Sequence, residues 1–455
     1  MTVSEITTRH IKRLKNSASD FLGKPVSSAV VTVPTNFSDS QKSALSKAAS
    51  DAGLDVIQFI YEPVAALLAY DARQESEVKD KIVVVADLGG TRSDVAVIAS
   101  RGGMYTILST AHDYTLGGAQ LDQVLVDHFA KEFIKKHKSA GDPRENARSL
   151  AKLKLESESV KKALSLGASA SFSVESLAGG MDFTSTVNRT RFELLANKVF
   201  ASFTRLLTHA VEKADLDVLD VDEIVLAGGT SHTPKIAKNV QVAFPPGVTV
   251  HAPATSPTAI NPSELSARGA AIQASLIAEF EKEDVEQSTH AAVTVTSHLR
   301  NAVGVLCITG DETKGAFRPI VEAETPVPVR RTAIVATPRE GGDVLVKLCE
   351  GVREIKVTKP EAKPKTNGKA DNDDDDDDDD SDEDEEAEDV REKVWKVGKV
   401  LVEMKVTGVK KGGKVEVQVD VKPDLEMTVI AREVGGKGGV RAVVEAPKAS
   451  ENGSA

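Results

Sequence analysis

The stretch K-I-V-V-V-A-D-L-G-G-T-R-S-D-V-A-V-I, residues 81–98, decides the fold of this chain. Two apolar runs enclose a turn that contains Gly89 and Gly90, and this order predicts a β-hairpin. Glycine amides can approach phosphate oxygens closely, and the carboxylates of Asp87 and Asp94 suit a hydrated Mg²⁺. The turn therefore predicts a phosphate and magnesium site, with an ordinary acidic hairpin turn as the alternative.

Length and composition indicate a globular protein of about two or three domains. The hydrophobic share is 40% and the charged share 28%, both ordinary values. The two cysteines, Cys307 and Cys349, are too few for a disulfide framework or a four-ligand zinc site. No apolar run is long enough to span a membrane, and the first residues do not form a signal peptide. We expect a cytosolic or nuclear protein.

An acidic block dominates the net charge of −12. Residues 371–389 contain 16 acidic residues and no basic one, so the rest of the chain is mildly basic. Like charges at this density repel, and nothing apolar is present to bury, so we expect a disordered, solvated segment. The alternative is a contact for basic histone, ribosomal or chaperone surfaces.

Upstream of residue 281 the pattern predicts an α/β domain, in which helices cover a sheet. The predicted strands around the hairpin are 29–34, 56–60, 104–111, 170–177, 181–187 and 223–227. The predicted helices are 4–22, 39–53, 64–70, 121–137, 143–166, 191–214 and one from 261 to about 280. Three glycine pairs each follow a strand, and we expect them to converge on one nucleotide: Gly89-Gly90, Gly117-Gly118 and Gly228-Gly229.

Beyond a polar linker, 281–288, the chain becomes rich in short β-runs. The alternation in V-E-V-Q-V-D-V, residues 415–421, predicts a half-buried antiparallel strand. Similar runs occupy 291–295, 302–308, 333–336, 344–348, 400–406 and 427–433. The acidic segment, 359–393, interrupts this domain, and residues 447–455 form a tail that we expect to be loose.

Four motifs give the chain a family resemblance: A-V-V-T-V-P-T-N-F-S-D-S-Q (29–41), I-Y-E-P-V-A-A-L-L-A-Y (60–70), D-L-G-G (87–90) and L-A-G-G-T-S-H-T-P-K-I (226–236). The chain resembles the seventy-kilodalton heat-shock (DnaK-type) chaperones. This resemblance implies an actin-like, ribonuclease-H-like α/β nucleotide-binding domain over 1–280, with a partial lobe I to about residue 80 and lobe II at about 81–280. It also implies a small antiparallel β domain over 289–446 that is similar to the family's substrate-binding domain.

The resemblance implies ATP and Mg as cofactors and assigns roles to individual residues. Asp87, Asp94 and Glu62 match the catalytic carboxylates, and the first two match the carboxylates near magnesium. The implied cofactor-binding residues are Gly89, Gly90 and Thr91 at the phosphates and Glu158, Lys161, Lys162, Ser165, Gly228, Gly229, Thr230 and His232 at the adenosine. Pro34 and Lys42 match the interdomain relay. For Glu158, Lys161 and Lys162 an ordinary solvated helix face is the alternative.

Several departures from the family pattern bear on activity. Thr91, Arg92 and Ser93 stand where the family has a third glycine, a threonine and a phenylalanine. A guanidinium there could neutralise phosphate charge, but it would crowd an attacking water. His232 replaces an adenine-stacking arginine, and Ser263 replaces an aspartate. The linker lacks the family's leucine run, and no helical lid follows the β domain.

Family members also place about a hundred residues, the size of a small domain, before the segment that begins here. That segment carries a first phosphate hairpin, D-L-G-T-T, and a catalytic lysine. We therefore expect a fragment or a misplaced start rather than a natural short form. We also expect an exposed sheet edge and core face in lobe I, and weak or no nucleotide binding by the chain as written.

The lidless, linker-degenerate pattern most resembles the atypical fungal ribosome-associated complex subunits of the Ssz type. This subgroup implies ATP binding with little or no hydrolysis, a J-domain co-chaperone of the zuotin type, and a cytoplasmic location at the ribosome near nascent polypeptides. It implies neither a membrane nor sequence-specific nucleic acid as a partner. The alternative is an active ATP-hydrolysing chaperone that binds unfolded polypeptides. A sugar kinase of the actin-like fold would leave the β-rich region unexplained.

Overall fold

The computed structural model divides the chain into two compact units, Met1–Val295 and Thr296–Ala455, which are considered separately here. The structure describes residues 1–72, 80–256, 259–280, 297–307, 316–337, 340–358, 390–436 and 438–446. The predicted linker 281–288, the predicted strand 291–295 and the tail 447–455 lie outside the described residues. No helix among the described residues is long and apolar enough to cross a membrane.

The first part of unit one is a small α/β layer. Its elements are α1 (Val3–Leu22), β1 (Ser28–Val33), α2 (Asp39–Asp51), β2 (Asp55–Tyr61) and α3 (Glu62–Asp71). Thr2 and Ser38 cap α1 and α2 with reciprocal capping boxes, which fixes where these helices begin. Strands β1 and β2 pair in parallel as a two-stranded sheet.

This layer leaves apolar surface exposed. Helix α1, which the structure describes in full, buries none of its residues, and Phe21 is 90% exposed. A groove of about 540 Å³ runs between α1, β1 and α9 (Leu265–Ile277), lined mainly by apolar side chains such as Leu14 and Val30. The expected exposed core face is therefore present.

The predicted hairpin at residues 81–98 is present, and it lies at the centre of a five-stranded mixed sheet. Strands β3 (Lys81–Leu88) and β4 (Ser93–Arg101) are antiparallel, and β3 also pairs in parallel with β8 (Glu223–Ala227). The sheet has the order β5-β4-β3-β8-β9, with β5 at Met104–Asp113 and β9 at Thr249–His251. Its main core packs buried phenylalanines from the covering helices against these strands. Because helices cover both faces, β3 reads as a continuous apolar run.

Helices and a second hairpin complete unit one. They are α4 (Gly118–Lys136), α5 (Ala147–Leu166), β6 (Ser169–Ala178), β7 (Met181–Asn188), α6 (Arg189–Leu195), α7 (Asn197–Lys213), α8 (Pro234–Ala243) and α9. Three predicted helices were wrong in extent. Helix α5 begins at Ala147 because Asn146 caps it, and α9 begins at Leu265. The predicted helix 191–214 is two helices, since Ala196 leaves helical geometry at φ −93° and ψ 7°.

Unit two consists of antiparallel sheets. One has the order β12-β11-β15-β16 and the other β14-β17-β18-β19, with a short β10–β13 pair. The strand bounds are β10 His298–Leu299, β11 Ala302–Cys307, β12 Ala316–Val321, β13 Thr325–Pro326, β14 Val329–Ala336, β15 Gly342–Thr358, β16 Val390–Val409, β17 Lys414–Val421, β18 Met427–Glu433 and β19 Gly439–Val444.

The predicted alternation holds in unit two, because Val415, Val417, Val419 and Val421 are all fully buried in β17. One boundary was wrong. The acidic segment was predicted to extend to residue 393, but residues 390–393 already belong to β16 and pair with β15. The remainder of that segment, 359–389, lies outside the described residues.

Candidate functional site

Three of the predicted site carboxylates meet at the turn end of the central hairpin. Asp87 on β3 and Asp94 on β4 are cross-strand partners, so the hairpin register places them opposite each other. Glu62 joins them from the first residue of α3, beside a narrow cleft that Pro34 also lines. The structure therefore brings together three residues predicted as catalytic and one predicted as part of the interdomain relay.

A cation of the chain itself lies on this cluster. Arg92 Nε is 2.7 Å from Asp94 Oδ2, and its terminal nitrogen is 3.7 Å from Glu62 Oε2. The other Asp94 oxygen, Oδ1, is 2.6 Å from Nδ1 of His112. His112, which faces Asp94 in the β4–β5 register, was missed in the sequence analysis. The predicted strand ended at residue 111, and a strand one residue longer would have placed His112 opposite Asp94.

The cluster remains short of positive charge. Burial raises the pKa of Asp87, and the neighbouring Asp94 raises it further. Burial also raises the pKa of Glu62, with added repulsion from Asp87, while Arg92 offsets part of both shifts. The carboxyls are thus held in a site where ionisation is disfavoured, which is typical of functional sites and also of strained ion networks.

The geometry does not fit a divalent ion at Asp94. Both of its carboxylate oxygens already face nitrogen atoms, whereas Mg²⁺ requires free oxygen ligands in near-octahedral order. Within the part of the chain that the structure describes, no group of three or more His, Cys, Asp or Glu side chains could hold a metal. The magnesium roles of Asp87 and Asp94 stay predictions.

The three glycine pairs converge, as the sequence analysis expected. The Gly89 carbonyl accepts hydrogen bonds from the Gly118 amide at 3.0 Å and from Thr230 Oγ1 at 2.8 Å. A Cβ on Gly117 would lie 2.6 Å from the Gly90 oxygen, so this turn requires glycine. Gly228 has φ +81°, and a Cβ there would lie 2.4 Å from the Leu88 oxygen. The turns form one continuous backbone surface.

Next to these turns is a cavity of about 460 Å³, within the size range of small-molecule sites. It is lined by Gly90, Glu158, Lys161, Lys162, Ser165, Leu166, Gly229, Thr230, His232, Thr233 and Ser263. The predicted adenosine residues on α5 therefore share one cavity with Gly90 of the first glycine turn and Gly229 of the third. Gly90 leaves open space where a Cβ would lie. The cavity is thus bordered by backbone of two glycine turns on one side and by polar side chains of α5 on the other.

The cationic residues of this cavity are not equivalent. Lys161 is only 12% exposed and its Nζ lies 2.7 Å from Asp122 and 3.1 Å from the Gly118 carbonyl, so it anchors the second glycine turn to α5. Lys162 is 71% exposed and pairs with Glu158 at 2.8 Å on the helix surface. His232 Nε2 lies 3.2 Å from Asn261 Oδ1. Asp122 and Asn261 escaped the sequence analysis because their roles arise only from tertiary contacts.

Two predicted residues contribute little to this geometry. Thr91 is exposed at the hairpin turn. Lys42 lies on α2 over the Tyr61 ring, at 5.3 Å, and lines a different surface depression from the one at Glu62. Of the predicted relay pair, only Pro34 lies beside the carboxylates. Lys42 lines the other depression.

Comparison with known proteins agrees with this architecture. The family model described as Hsp70 protein matches residues 1–340. The ribosome-associated complex subunit SSZ1 of Saccharomyces cerevisiae is 43% identical over 434 residues, covering 95% of this chain and 77% of that protein. A heat shock protein 70 homolog of Schizosaccharomyces pombe is 40% identical over 439 residues, covering 96% and 74%.

More distant relatives match over a shorter region. A heat shock 70 kDa protein of Neurospora crassa is 34% identical over 354 residues, which is 78% of this chain but only 52% of that protein. The predicted fold class, an actin-like nucleotide-binding domain followed by a β domain, is confirmed by the family match and by the mixed and antiparallel sheets. The chain belongs to the Hsp70 family and is similar to its Ssz-type members.

Proposed function

We propose that this chain retains adenine nucleotide with little or no hydrolysis and assists the folding of nascent chains at the ribosome with a J-domain partner of the zuotin type. The observation that carries the proposal is the position of Arg92, 2.7 Å from Asp94 and 3.7 Å from Glu62. The carboxylates that would orient an attacking water are engaged with a cation of the chain. Hydrolysis needs such orientation, so its loss lowers the rate.

Nucleotide retention is supported by the separate cavity beside the glycine turns. Gly90 and Gly229 of the glycine turns line this cavity and would face the phosphates, and Glu158, Lys162 and His232 would contact the adenosine. None of these groups is engaged by Arg92 among the contacts of the described residues. Binding and hydrolysis can therefore be lost separately.

The ribosomal part of the proposal is supported by similarity. The Saccharomyces cerevisiae relative is named as a ribosome-associated complex subunit and covers nearly all of this chain. A subunit of such a complex works in the cytoplasm beside the emerging polypeptide. A J-domain co-chaperone is the expected partner, since Hsp70-family proteins act with one.

One observation favours the second candidate, an active ATP-hydrolysing chaperone that binds unfolded polypeptides. The raised pKa of Glu62, caused first by burial and then by Asp87, brings that carboxyl closer to the range of a general base. Its 3.7 Å separation from Arg92 is also long for an ion pair. This candidate would require Arg92 to move when nucleotide binds.

Single-turnover hydrolysis of radiolabelled ATP, with and without a J-domain, tests the proposal. A fluorescent adenine nucleotide first measures binding. We expect binding without turnover in the full chain, and a rise of about tenfold or more in Arg92→Thr because the carboxylates are released. Arg144→Thr is the matched control, since Arg144 also pairs with two carboxylates and is equally exposed, at 34%, but lies elsewhere. Turnover of the unaltered chain that a J-domain stimulates would contradict the proposal.

A further inference from the structure

The carboxylate cluster raises the question of which cation balances it. Glu62, Asp87 and Asp94 converge within one cleft, and their side chains are largely withdrawn from solvent, Asp94 being 17% exposed. Carboxylates in such a position require a nearby cation, because an uncompensated buried charge is costly.

The chain supplies that cation from within the hairpin. Arg92 belongs to the turn that joins the two acidic strands, and its carbonyl accepts a hydrogen bond from the Gly89 amide at 3.0 Å. This bond fixes the backbone from which the guanidinium reaches Asp94. A cation attached to the turn loses little further freedom when it pairs, unlike an ion taken from solution.

The two Asp94 oxygens show that this cation excludes another. Oδ2 faces Arg92 at 2.7 Å, and Oδ1 faces His112 at 2.6 Å. A hydrated divalent ion would have to displace the guanidinium to reach these lone pairs, and it would be repelled by the guanidinium charge.

We propose that Arg92 is a built-in replacement for the divalent cation at this site, so that the cluster does not bind Mg²⁺ and nucleotide affinity does not depend on it. The first half of this proposal, that the cluster does not bind Mg²⁺, concerns the chain alone. The second half, that nucleotide affinity does not depend on Mg²⁺, rests on the proposed function, since it requires that nucleotide be retained.

Thermal unfolding of the full chain in Mg²⁺ alone, without nucleotide, tests the first half. The Tm of the unaltered chain should not respond to the metal beyond the general salt effect seen with Na⁺ at equal ionic strength. In Arg92→Gln the vacated carboxylates should bind Mg²⁺. At a concentration of about ten times Kd, this stabilises the folded state about tenfold and raises the Tm by about 3 °C.

Two further variants separate charge from shape. Arg92→Lys keeps a cation and should remain insensitive to Mg²⁺. Arg144→Gln removes a guanidinium from two carboxylates outside the cluster, and we expect no response there because Asp127, at 42% exposed, is well solvated and does not require a counter-cation. Equal Mg²⁺ responses in the unaltered chain and Arg92→Gln, or none in Arg92→Gln, would overturn the proposal.

Manganese binding keeps the test valid if Arg92→Gln does not fold. Electron paramagnetic resonance of Mn²⁺ titrated with the unaltered chain should show no bound metal, and a bound ion at this cluster that Asp94→Asn removes would overturn the proposal. Nucleotide affinity measured with Mg²⁺ and with a chelator should agree within about twofold, which is about 0.4 kcal/mol where a tenfold change is about 1.4 kcal/mol. Loss of affinity in the chelator would refute the second half, whereas no binding in either condition would refute the proposed function and leave the metal readouts to decide the first.

Discussion

The two ends of the five-stranded sheet differ in how their charges are balanced. At the end where β3 begins, Lys81 Nζ lies 2.8 Å from Asp71 and 2.9 Å from Glu223, and His251 lies 3.2 Å from the same Glu223 oxygen. At the end where β3 stops, Arg92 pairs with Asp94 and Glu62, Asp87 lies in the same cleft, and His112 lies beside Asp94. We call these the paired end and the acidic end.

One glutamate at each end shows this difference, because the two pKa values shift in opposite directions. At the paired end burial alone would raise the pKa of Glu223, but hydrogen bonds from His251 and Lys81 outweigh it and lower the pKa. At the acidic end burial and neighbouring carboxylates raise the pKa of Glu62. The paired end is therefore arranged for stability, whereas the acidic end keeps unbalanced charge, which is the condition in which a site responds to a ligand or partner.

The largest expected effect comes from breaking the paired end. Lys81→Met should lower the free energy of unfolding by about 3–5 kcal/mol, because it leaves the 4% exposed Asp71 carboxylate buried without its cation. Urea denaturation measures this cost.

Lys162→Met provides the control for that measurement, because Lys162 forms an ion pair of the same 2.8 Å length on the helix surface. Its removal should cost about 0.5 kcal/mol or less. Similar costs for the two variants would show that burial does not distinguish the paired end.

The acidic end could be predicted from sequence far better than the paired end. Asp87, Gly89 and Gly90 are contiguous with the hairpin turn, so local pattern is sufficient to place them together. Lys81 and Glu223, in contrast, are 142 residues apart and meet only because β3 and β8 pair in parallel. No local pattern carries that information.

The same distinction explains the other differences from prediction. The start of α5 could not be placed because its cap, Asn146, follows a loop whose polar residues continue the helical pattern upstream. The break at Ala196 has no sequence signal, since alanine favours helix. The destination of the Arg92 side chain could not be predicted either: phosphate and carboxylate both attract a guanidinium, and the hairpin register decides between them.

An intermediate effect should come from the third glycine turn, which closes the acidic end. Gly228→Ala should cost about 1–3 kcal/mol, because a Cβ would lie 2.5 Å from Asp87 Oδ1 and φ is +81°. The cavity beside this turn should lose nucleotide affinity at the same time.

Gly247→Ala is the matched control, since no atom lies within 4 Å of a Cβ there and the backbone is not left-handed. Thermal unfolding and fluorescent nucleotide binding measure the two effects. If Gly228→Ala kept both stability and affinity, the acidic end would not depend on this close approach.

The smallest effects concern how Glu223 and Glu62 change the pH dependence of stability. They also test the comparison of the two ends most directly. The pKa of Glu223 is lowered below its ordinary 4.5, so its ionised form adds stability above pH 4.5 that is lost as the pH falls through the folded value. Glu223→Gln should therefore destabilise the protein at pH 7 and have progressively less effect in acid.

Glu62→Gln should have the opposite sign. The pKa of Glu62 is raised above 4.5, so the stability that its neutral form contributes is complete below pH 4.5 and is lost as the pH rises through the folded value. The amide escapes that loss, and the variant should be more stable than the parent at pH 7 and equal to it in acid. Unfolding free energies from urea titrations between about pH 2 and 8, which extend below the ordinary glutamate pKa, measure both variants. If both were destabilised at neutral pH, Arg92 would balance the acidic end as fully as Lys81 balances the paired end, because only a satisfied carboxylate costs stability when its charge is removed.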